Sequence, residues 1–282
     1  MAELPYYLGC PSWSESAWRG SLFAKGMTQQ DFLPAYSALF NCVEGNTTFY
    51  AKPSVETVQR WAAQMPANFH FCAKFYRGIS HSDDLREHIG EALEFIDLLR
   101  PVLKNGAPLW LQLPSSYSPE RILELETFLK ALPVTVAVEV RHLAFFSKGE
   151  EERQLNRLLH GLGVERICLD SRALFSCRVL TPAVKHAQAK KPRLPIRPAA
   201  FSAMPHVRFI GHPELEANDV FLAPWVEKVA QWLEQGLAPH VFLHTPDNHK
   251  APELALRFHR MLRVYHPDLP ELEFATTQLG LF

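Results

Sequence analysis

The sequence alternates between short apolar or β-branched runs and longer helical patterns, and this alternation repeats eight times. Ser54 is predicted to cap one of the helices, which reaches about residue 65. Eight strand–helix repeats predict an α/β fold, and specifically a single (β/α)8 TIM barrel with extended βα loops. A doubly wound open sheet is the alternative. The predicted strands are residues 6–10, 42–47, 69–75, 109–113, 134–140, 166–170, 206–210 and 241–244.

The composition is that of a globular protein with ample core material. The 282 residues are 47% hydrophobic, and we assign residues 1–272 to one barrel domain. A net charge of -1 neither requires nor excludes a polyanionic partner. The five cysteines lack CxxC spacing, which predicts reduced thiols rather than disulfides. No segment is typical of a signal peptide or a bilayer span, so a cytoplasmic location without a membrane partner is expected.

Polar residues are concentrated in residues 40–50, FNCVEGNTTFY, which continue from an apolar run. Such a polar face at the end of a strand is typical of an active-site wall in an α/β barrel. With a period of two, one face of this predicted strand carries Cys42, Glu44, Asn46 and Thr48.

The other predicted strands show the same arrangement, with an apolar face toward the helices and polar residues near the carboxyl end of the opposite face. So many charged and amide side chains exceed what a structural ion pair needs, and they predict a functional site at this end. The predicted interior set is Glu44, Asn46, Lys74, Gln112, Glu139, Arg141, Asp170, Arg208 and His244.

Three kinds of chemistry could use this set. Glu44 and Glu139 could act as paired acid and base, with Lys74 and Asp170 tuning them. Lys74 could instead form a Schiff base with a carbonyl substrate. A divalent metal is the third, although cations in the same cavity would compete for the carboxylates. Its ligands would be Glu44, Glu139, Asp170 and His244.

Several cations favour an anionic substrate, which we expect to be a sugar phosphate or a nucleic-acid-derived molecule. Arg141 and Arg208 belong to the interior set, and residues 181–200 are predicted to form an extended basic loop with four prolines. That loop is either a phosphate-binding element or a solvated surface loop. Aromatic residues that could stack on a sugar or base, or else pack as lids, are Trp13, Trp18 and Tyr50.

Seven motifs follow one another along the chain: GCPSW (9–13), FNCVEGNTTFY (40–50), FHFCAKF (69–75), ISH (79–81), LWLQLP (109–114), VEVRH (138–142) and LDSR (169–172). In this order they resemble the motifs of the YecE-like family, domain of unknown function family 72. The resemblance implies a TIM barrel but no reaction, and His244 lies where this chain departs from many relatives. The family motifs map onto Trp13, Glu44, Asn46, Tyr50, Lys74, His81, Gln112, Glu139, Arg141, Asp170 and Arg208.

The tail, residues 273–282, resembles the pentapeptide with which bacterial repair proteins bind the DNA sliding clamp. The matching residues are Gln278, Leu279, Leu281 and Phe282, which could enter an apolar pocket as an extended peptide. Packing of these residues on the barrel is the alternative. The sequence therefore leaves two functions open: an acid/base enzyme (a hydrolase, lyase or isomerase), or a non-catalytic anion- or nucleic-acid-binding module recruited to the clamp.

Overall fold

The computed structural model describes residues 4–274 and shows an α/β fold with parallel strand pairing. Backbone hydrogen bonds order six strands as β3-β2-β1-β9-β8-β7 and three strands as β4-β5-β6. Every predicted strand region contains a strand, and residues 166–170 contribute to two short ones. The strands are β1 (Tyr7–Cys10), β2 (Cys42–Gly45), β3 (His70–Ala73), β4 (Leu109–Gln112), β5 (Val136–Glu139), β6 (Glu165–Arg166), β7 (Cys168–Asp170), β8 (His206–Ile210) and β9 (His240–His244).

Helices separate most of the strands. The Ser54 hydroxyl accepts a hydrogen bond from Thr57 N, so the predicted cap is confirmed. The helices are α1 (Phe32–Leu39), α2 (Thr47–Tyr50), α3 (Val55–Gln64), α4 (Arg77–Ser80), α5 (Ile89–Leu99), α6 (Ile122–Ala131), α7 (Glu150–Gly161), α8 (Arg172–Phe175), α9 (Pro182–Lys190), α10 (Asp219–Glu234) and α11 (Ala251–Leu262). Short 3-10 helices are Ser16–Trp18, Gln29–Asp31, Leu85–His88, Pro119–Arg121, Leu143–Phe146 and Glu216–Asn218. Within residues 4–274, no helix has both the length and the apolar character needed to cross a bilayer.

The chain forms two compact units. The first unit comprises Met1–Val43, Leu169–Arg193 and Val207–Phe282, and the second comprises Glu44–Cys168 and Leu194–His206. The predicted single domain of residues 1–272 stays a prediction.

The first unit is built around β1, which pairs on one side with β9 (Tyr7↔His240) and on the other with residues of β2 (Gly9↔Cys42). A Cβ on Gly9 would lie 2.2 Å from the carbonyl oxygen of Cys42, so this close approach requires glycine. Trp18 is fully buried and stacks on Tyr36, and its indole nitrogen donates to Asn248 O. Of the roles left open for Trp18, packing is the one that the structure shows, because its ring is part of the core.

In the second unit, β4 and β5 pair in register from Leu109↔Val136 to Gln112↔Glu139. Lys74, immediately after β3, forms a parallel bridge with Trp110 of β4. Phe75 is fully buried against the rings of Phe95 and Phe128, at 6.0 and 5.7 Å between centroids. The apolar face that alternation predicted for residues 69–75 thus packs against α5 and α6.

Two predicted local structures are wrong. The strand from residue 42 ends at Gly45, and the chain turns into α2, so Asn46 and Thr48 do not continue a strand face. Residues 181–200 are not one extended loop, because Thr181 caps α9 by accepting from Val184 N and Pro182 occupies the first helical turn. Proline is tolerated there, since the first turn has no partner for its missing N–H.

Candidate active site at the carboxyl ends of β2 to β5

Lys74 is the centre of a buried polar cluster in the second unit. Its Nζ donates to Glu44 Oε1 at 2.7 Å, to Asn46 Oδ1 at 2.8 Å and to Gln112 Oε1 at 3.3 Å. It also lies 5.1 Å from the ring centroid of Trp110. The Lys74 side chain is 2% exposed, so its charge is balanced by these groups rather than by water. Four residues of the predicted set are thereby brought together, with Lys74 pairing Glu44.

Thr48 positions Lys74 although its own side chain does not touch the ammonium. Its Oγ1 accepts from Lys74 N at 2.9 Å and lies 2.8 Å from Lys74 O. A Cβ on Gly45 would lie 2.9 Å from Ala73 Cα, so glycine permits the backbone approach beside this cluster. The predicted set omitted Thr48, and the only signal for it was its place in the polar stretch 40–50.

Glu139 and Arg141 form a second ion pair. Arg141 approaches Glu139 Oε1 with its Nε at 2.8 Å and its Nη2 at 2.6 Å. Glu139 ends β5 opposite Gln112 of β4, so the register places it one strand away from the Lys74 cluster. Within residues 4–274, the Arg141 Nη1 and the Gln112 amide nitrogen make no hydrogen bond, which leaves donors available to a ligand.

His81 lies within electrostatic range of Arg141. Burial, and then the charges of Arg77 and Arg141, lower the pKa of His81, so its imidazole is neutral at pH 7. Its Nδ1 is 3.0 Å from Ser80 Oγ, and its ring packs edge-on against Phe49. Tyr50 packs on the other side of this group, T-shaped against Phe49, and is 76% exposed. Tyr50 is therefore accessible to a ligand.

Lys74 and Cys72 are the candidate nucleophiles in this part of the second unit. Three oxygen acceptors surround Lys74 Nζ, and the Schiff-base alternative stays a prediction. Burial, together with the charge of Glu44, raises the pKa of the Cys72 thiol well above its ordinary value. A thiolate at Cys72 is therefore disfavoured, whereas carboxylate acid/base chemistry is compatible with the geometry.

A divalent metal would compete with the ion pairs already present. Glu44 binds Lys74 and Glu139 binds Arg141, so each predicted carboxylate ligand already carries a cationic partner. A metal would have to displace these partners, and its binding stays a prediction.

The remaining predicted site residues belong to the first unit. Asp170 Oδ1 accepts from the backbone N of Arg172 at 3.0 Å, and its Oδ2 accepts from Arg172 Nη2 and Trp225 Nε1, both at 2.8 Å. Asp170 thus anchors α8 and α10, a structural use that the prediction did not include. The others sit on the core strands or in the loop after β1, and are largely buried: Trp13, Arg208 and His244.

Arg197, in the segment predicted to be a basic loop, forms an internal ion pair. Arg197 Nε donates to Glu152 Oε1 at 2.6 Å, and Arg166 Nη1 lies 3.5 Å from the same oxygen. Glu152 is buried in the first turn of α7, where no charge pattern in the sequence distinguished it from its exposed neighbours. A phosphate-binding role for Arg197 is therefore wrong, because Glu152 occupies its guanidinium.

The tail residues Gln278, Leu279, Leu281 and Phe282 lie outside the described residues, and clamp binding stays a prediction.

An α/β protein with paired ionic groups at the carboxyl ends of parallel strands is the class that the fold and this cluster define. The chain belongs to the family described as protein of unknown function DUF72, whose model matches residues 7–277. It is 40% identical to the UPF0759 protein YecE of Escherichia coli K12, over 98% of this chain and 99% of that protein. The resemblance read from the motifs is confirmed.

Solved structures of the family show the same fold. A DUF72 family protein from Enterococcus faecalis V583 aligns over 92% of this chain and 95% of its own, with a TM-score of 0.69 and 18% identity. One from Thermotoga maritima MSB8 aligns over 92% of this chain and 99% of its own, with a TM-score of 0.67 and 21% identity. The α/β class is therefore confirmed.

Proposed function

We propose that this chain is a TIM-barrel enzyme that moves a proton on a small anionic substrate, a sugar phosphate or a nucleic-acid-derived molecule. The observation that carries this proposal is Arg141, a guanidinium bound to Glu139 whose Nη1 has no acceptor within the described residues, beside a neutral His81. An arginine with donors to spare is suited to binding a phosphate or carboxylate.

The chemistry would be divided between the two ion pairs. Glu139 is the base or acid next to the bound anion. A substrate anion bound to Arg141 would compete with the Glu139 carboxylate for the positive charge of the guanidinium. Lys74, which is paired with Glu44, places positive charge where negative charge develops on the substrate. Neutral His81 can exchange a proton at Nε2. This division fits an isomerase, lyase or hydrolase that uses proton transfer.

The barrel proposal rests on eight strand regions alternating with helices and on the bridge between Lys74 and Trp110, which links β3 to β4. Buried, free cysteines agree with the cytoplasmic location that we also propose.

Arg141 provides the test. Calorimetric titration with a panel of sugar phosphates and nucleotides should find a ligand whose affinity falls at least about tenfold in Arg141→Gln. Arg100→Gln is the matched control, because Arg100 pairs with Asp97 on an exposed helix end. Proton transfer is then followed as deuterium incorporation from solvent into the bound substrate by NMR.

Glu139→Gln should retain ligand binding and lose deuterium incorporation. The anion role would be refuted if no ligand of the panel lost affinity in Arg141→Gln, and full incorporation in Glu139→Gln would refute the acid/base role.

The alternative proposal is a binding module without catalysis, recruited to the DNA sliding clamp. It is supported by the tail sequence alone, with Gln278, Leu279, Leu281 and Phe282 in the positions of the clamp-binding peptide. Nucleic-acid binding that is equal in wild type, Arg141→Gln and Glu139→Gln would favour this alternative over the enzyme.

A further inference from the structure

A second cluster of cations lies in the first unit, around a cleft of about 580 Å³. The cleft is formed by the loops that follow β7, β8 and β9, and its charged lining residues are Arg178, Glu214 and Lys250, with His212 beside them. Its volume is in the range of small-molecule sites, and ligands of parallel α/β sheets bind beyond the carboxyl ends of the strands.

The two cations of this cleft are not used by the fold. Within the part of the chain that the structure describes, neither the Arg178 guanidinium nor the Lys250 ammonium makes a hydrogen bond or an ion pair. Lys250 influences Glu253 only at longer range. Two cations against the single carboxylate of Glu214 leave the cleft net positive, so an anion is the favoured ligand.

His212 adds a directed donor. The backbone N of Glu214 donates to His212 Nδ1 at 3.0 Å, so Nδ1 is an acceptor and the ring N–H lies on Nε2. The loop that carries His212 is held by Asn218, which is fully buried: its Oδ1 accepts from His212 N at 2.7 Å, and its Nδ2 donates to Glu214 O at 2.9 Å. The donor is therefore held in place before a ligand arrives.

The other two loops are held in the same way. Lys250 N donates to Thr245 Oγ1 at 3.3 Å, and Trp18 Nε1 donates to Asn248 O at 2.9 Å. On the third side, Thr181 caps α9. Val179, which is 75% exposed, and Pro213 give the cleft apolar surface between its charged groups.

We propose that this cleft binds the phosphate monoester of a sugar. Arg178 and Lys250 hold the phosphoryl oxygens, His212 Nε2–H donates to the same group, and Glu214 accepts from sugar hydroxyls. This mixture favours a sugar phosphate over a bare polyanion, because a second phosphate near Glu214 would be repelled. The proposal does not rest on the proposed enzyme activity.

The test is calorimetric titration of the full chain with ribose 5-phosphate, inorganic phosphate and ribose at constant ionic strength. Arg178→Gln and Lys250→Gln are each expected to weaken ribose 5-phosphate binding at least about tenfold. Lys185→Gln is the matched control, since Lys185 is an exposed lysine of α9 that does not line the cleft. The affinity of Lys185→Gln for ribose 5-phosphate should stay within about twofold of the wild-type affinity, and ribose alone should not bind.

Three results would overturn the proposal: wild-type affinity in Arg178→Gln, an equal loss in Lys185→Gln, or no binding of ribose 5-phosphate to the wild type. Equal affinity for inorganic phosphate would overturn the sugar contacts assigned to Glu214. Arg141→Gln separates the two proposals, because it should leave binding at the Arg178 cleft intact even if the proposed catalytic function fails.

Discussion

Glu165 should make the stability of this protein fall as pH rises through the neutral range. Its carboxyl is 1% exposed, and Oε2 accepts from Phe201 N, Ser202 N and Ser202 Oγ at 2.8 to 3.1 Å. Within residues 4–274 it has no cationic partner. Burial raises the pKa of Glu165 from its ordinary 4.5 to about 8, although these donors lower it.

The sign and size follow from proton linkage. Between pH 4.5 and 8 the folded chain holds a proton on Glu165 that the unfolded chain has released. The stabilisation by this proton is therefore complete below pH 4.5 and is lost as pH rises through 8. At ~1.4 kcal/mol per pH unit, the loss between about pH 5.5 and pH 8.5 is about 3 kcal/mol.

Urea unfolding of the wild type and of Glu165→Gln at several pH values measures this loss. The glutamine does not titrate, so the difference in unfolding free energy between the two chains removes the contribution of the other ionisable groups. We expect wild type to lose about 3 kcal/mol relative to the variant between about pH 5.5 and pH 8.5. A difference that is flat with pH, or that grows in favour of wild type, would refute the reasoning.

The other predictions concern the buried ion pairs and the tail. Lys74→Met leaves Glu44 without its ammonium partner and should lower the free energy of unfolding by about 3–5 kcal/mol. Adding Glu44→Gln to the same chain should restore most of that loss. A double variant no more stable than Lys74→Met would contradict the pairing. Glu152→Gln weakens the ion pairs of the buried Arg166 and the half-buried Arg197 and should cost about 3 kcal/mol in urea unfolding. A cost below about 1 kcal/mol would show that Glu152 does not balance them. Deleting residues 278–282 should abolish binding to purified bacterial sliding clamp in a biosensor assay, and unchanged affinity would exclude that role for the tail.

The alternation of polar and apolar residues along the sequence located much of the candidate site, because the site residues lie at the ends of short apolar strands. Glu44, Gln112 and Glu139 each lie in the last two positions of a strand. At such positions the alternation of side chains along the strand is enough to assign a residue to one face of the sheet. The sequence predicts that Lys74 tunes Glu44 and Glu139, and the structure pairs it with Glu44 at 2.7 Å. The alternation of side chains could not decide between Glu44 and Glu139 as the partner of Lys74, because that choice depends on how far the side chains extend from one strand to the next.

The parts that the sequence did not predict depend on partners distant in the chain. The sequence around Arg197 offers no partner for its guanidinium, because that partner, Glu152, is 45 residues away in the chain. The role of Thr48 depends on its hydroxyl meeting the backbone of Lys74, which no local pattern reveals. The helix α9 was hidden by prolines, although Pro182 starts the helix and the other three follow its end.

The pairing of β1 with β9 sets an order of events during synthesis. Tyr7 and its partner His240 are separated by about 230 residues, so Tyr7 leaves the ribosome well before His240 is made. At typical elongation rates the N-terminal strand waits roughly 10 to 50 seconds with that edge uncovered. Each nascent chain must therefore keep an apolar strand edge from pairing with other chains until β9 has been made.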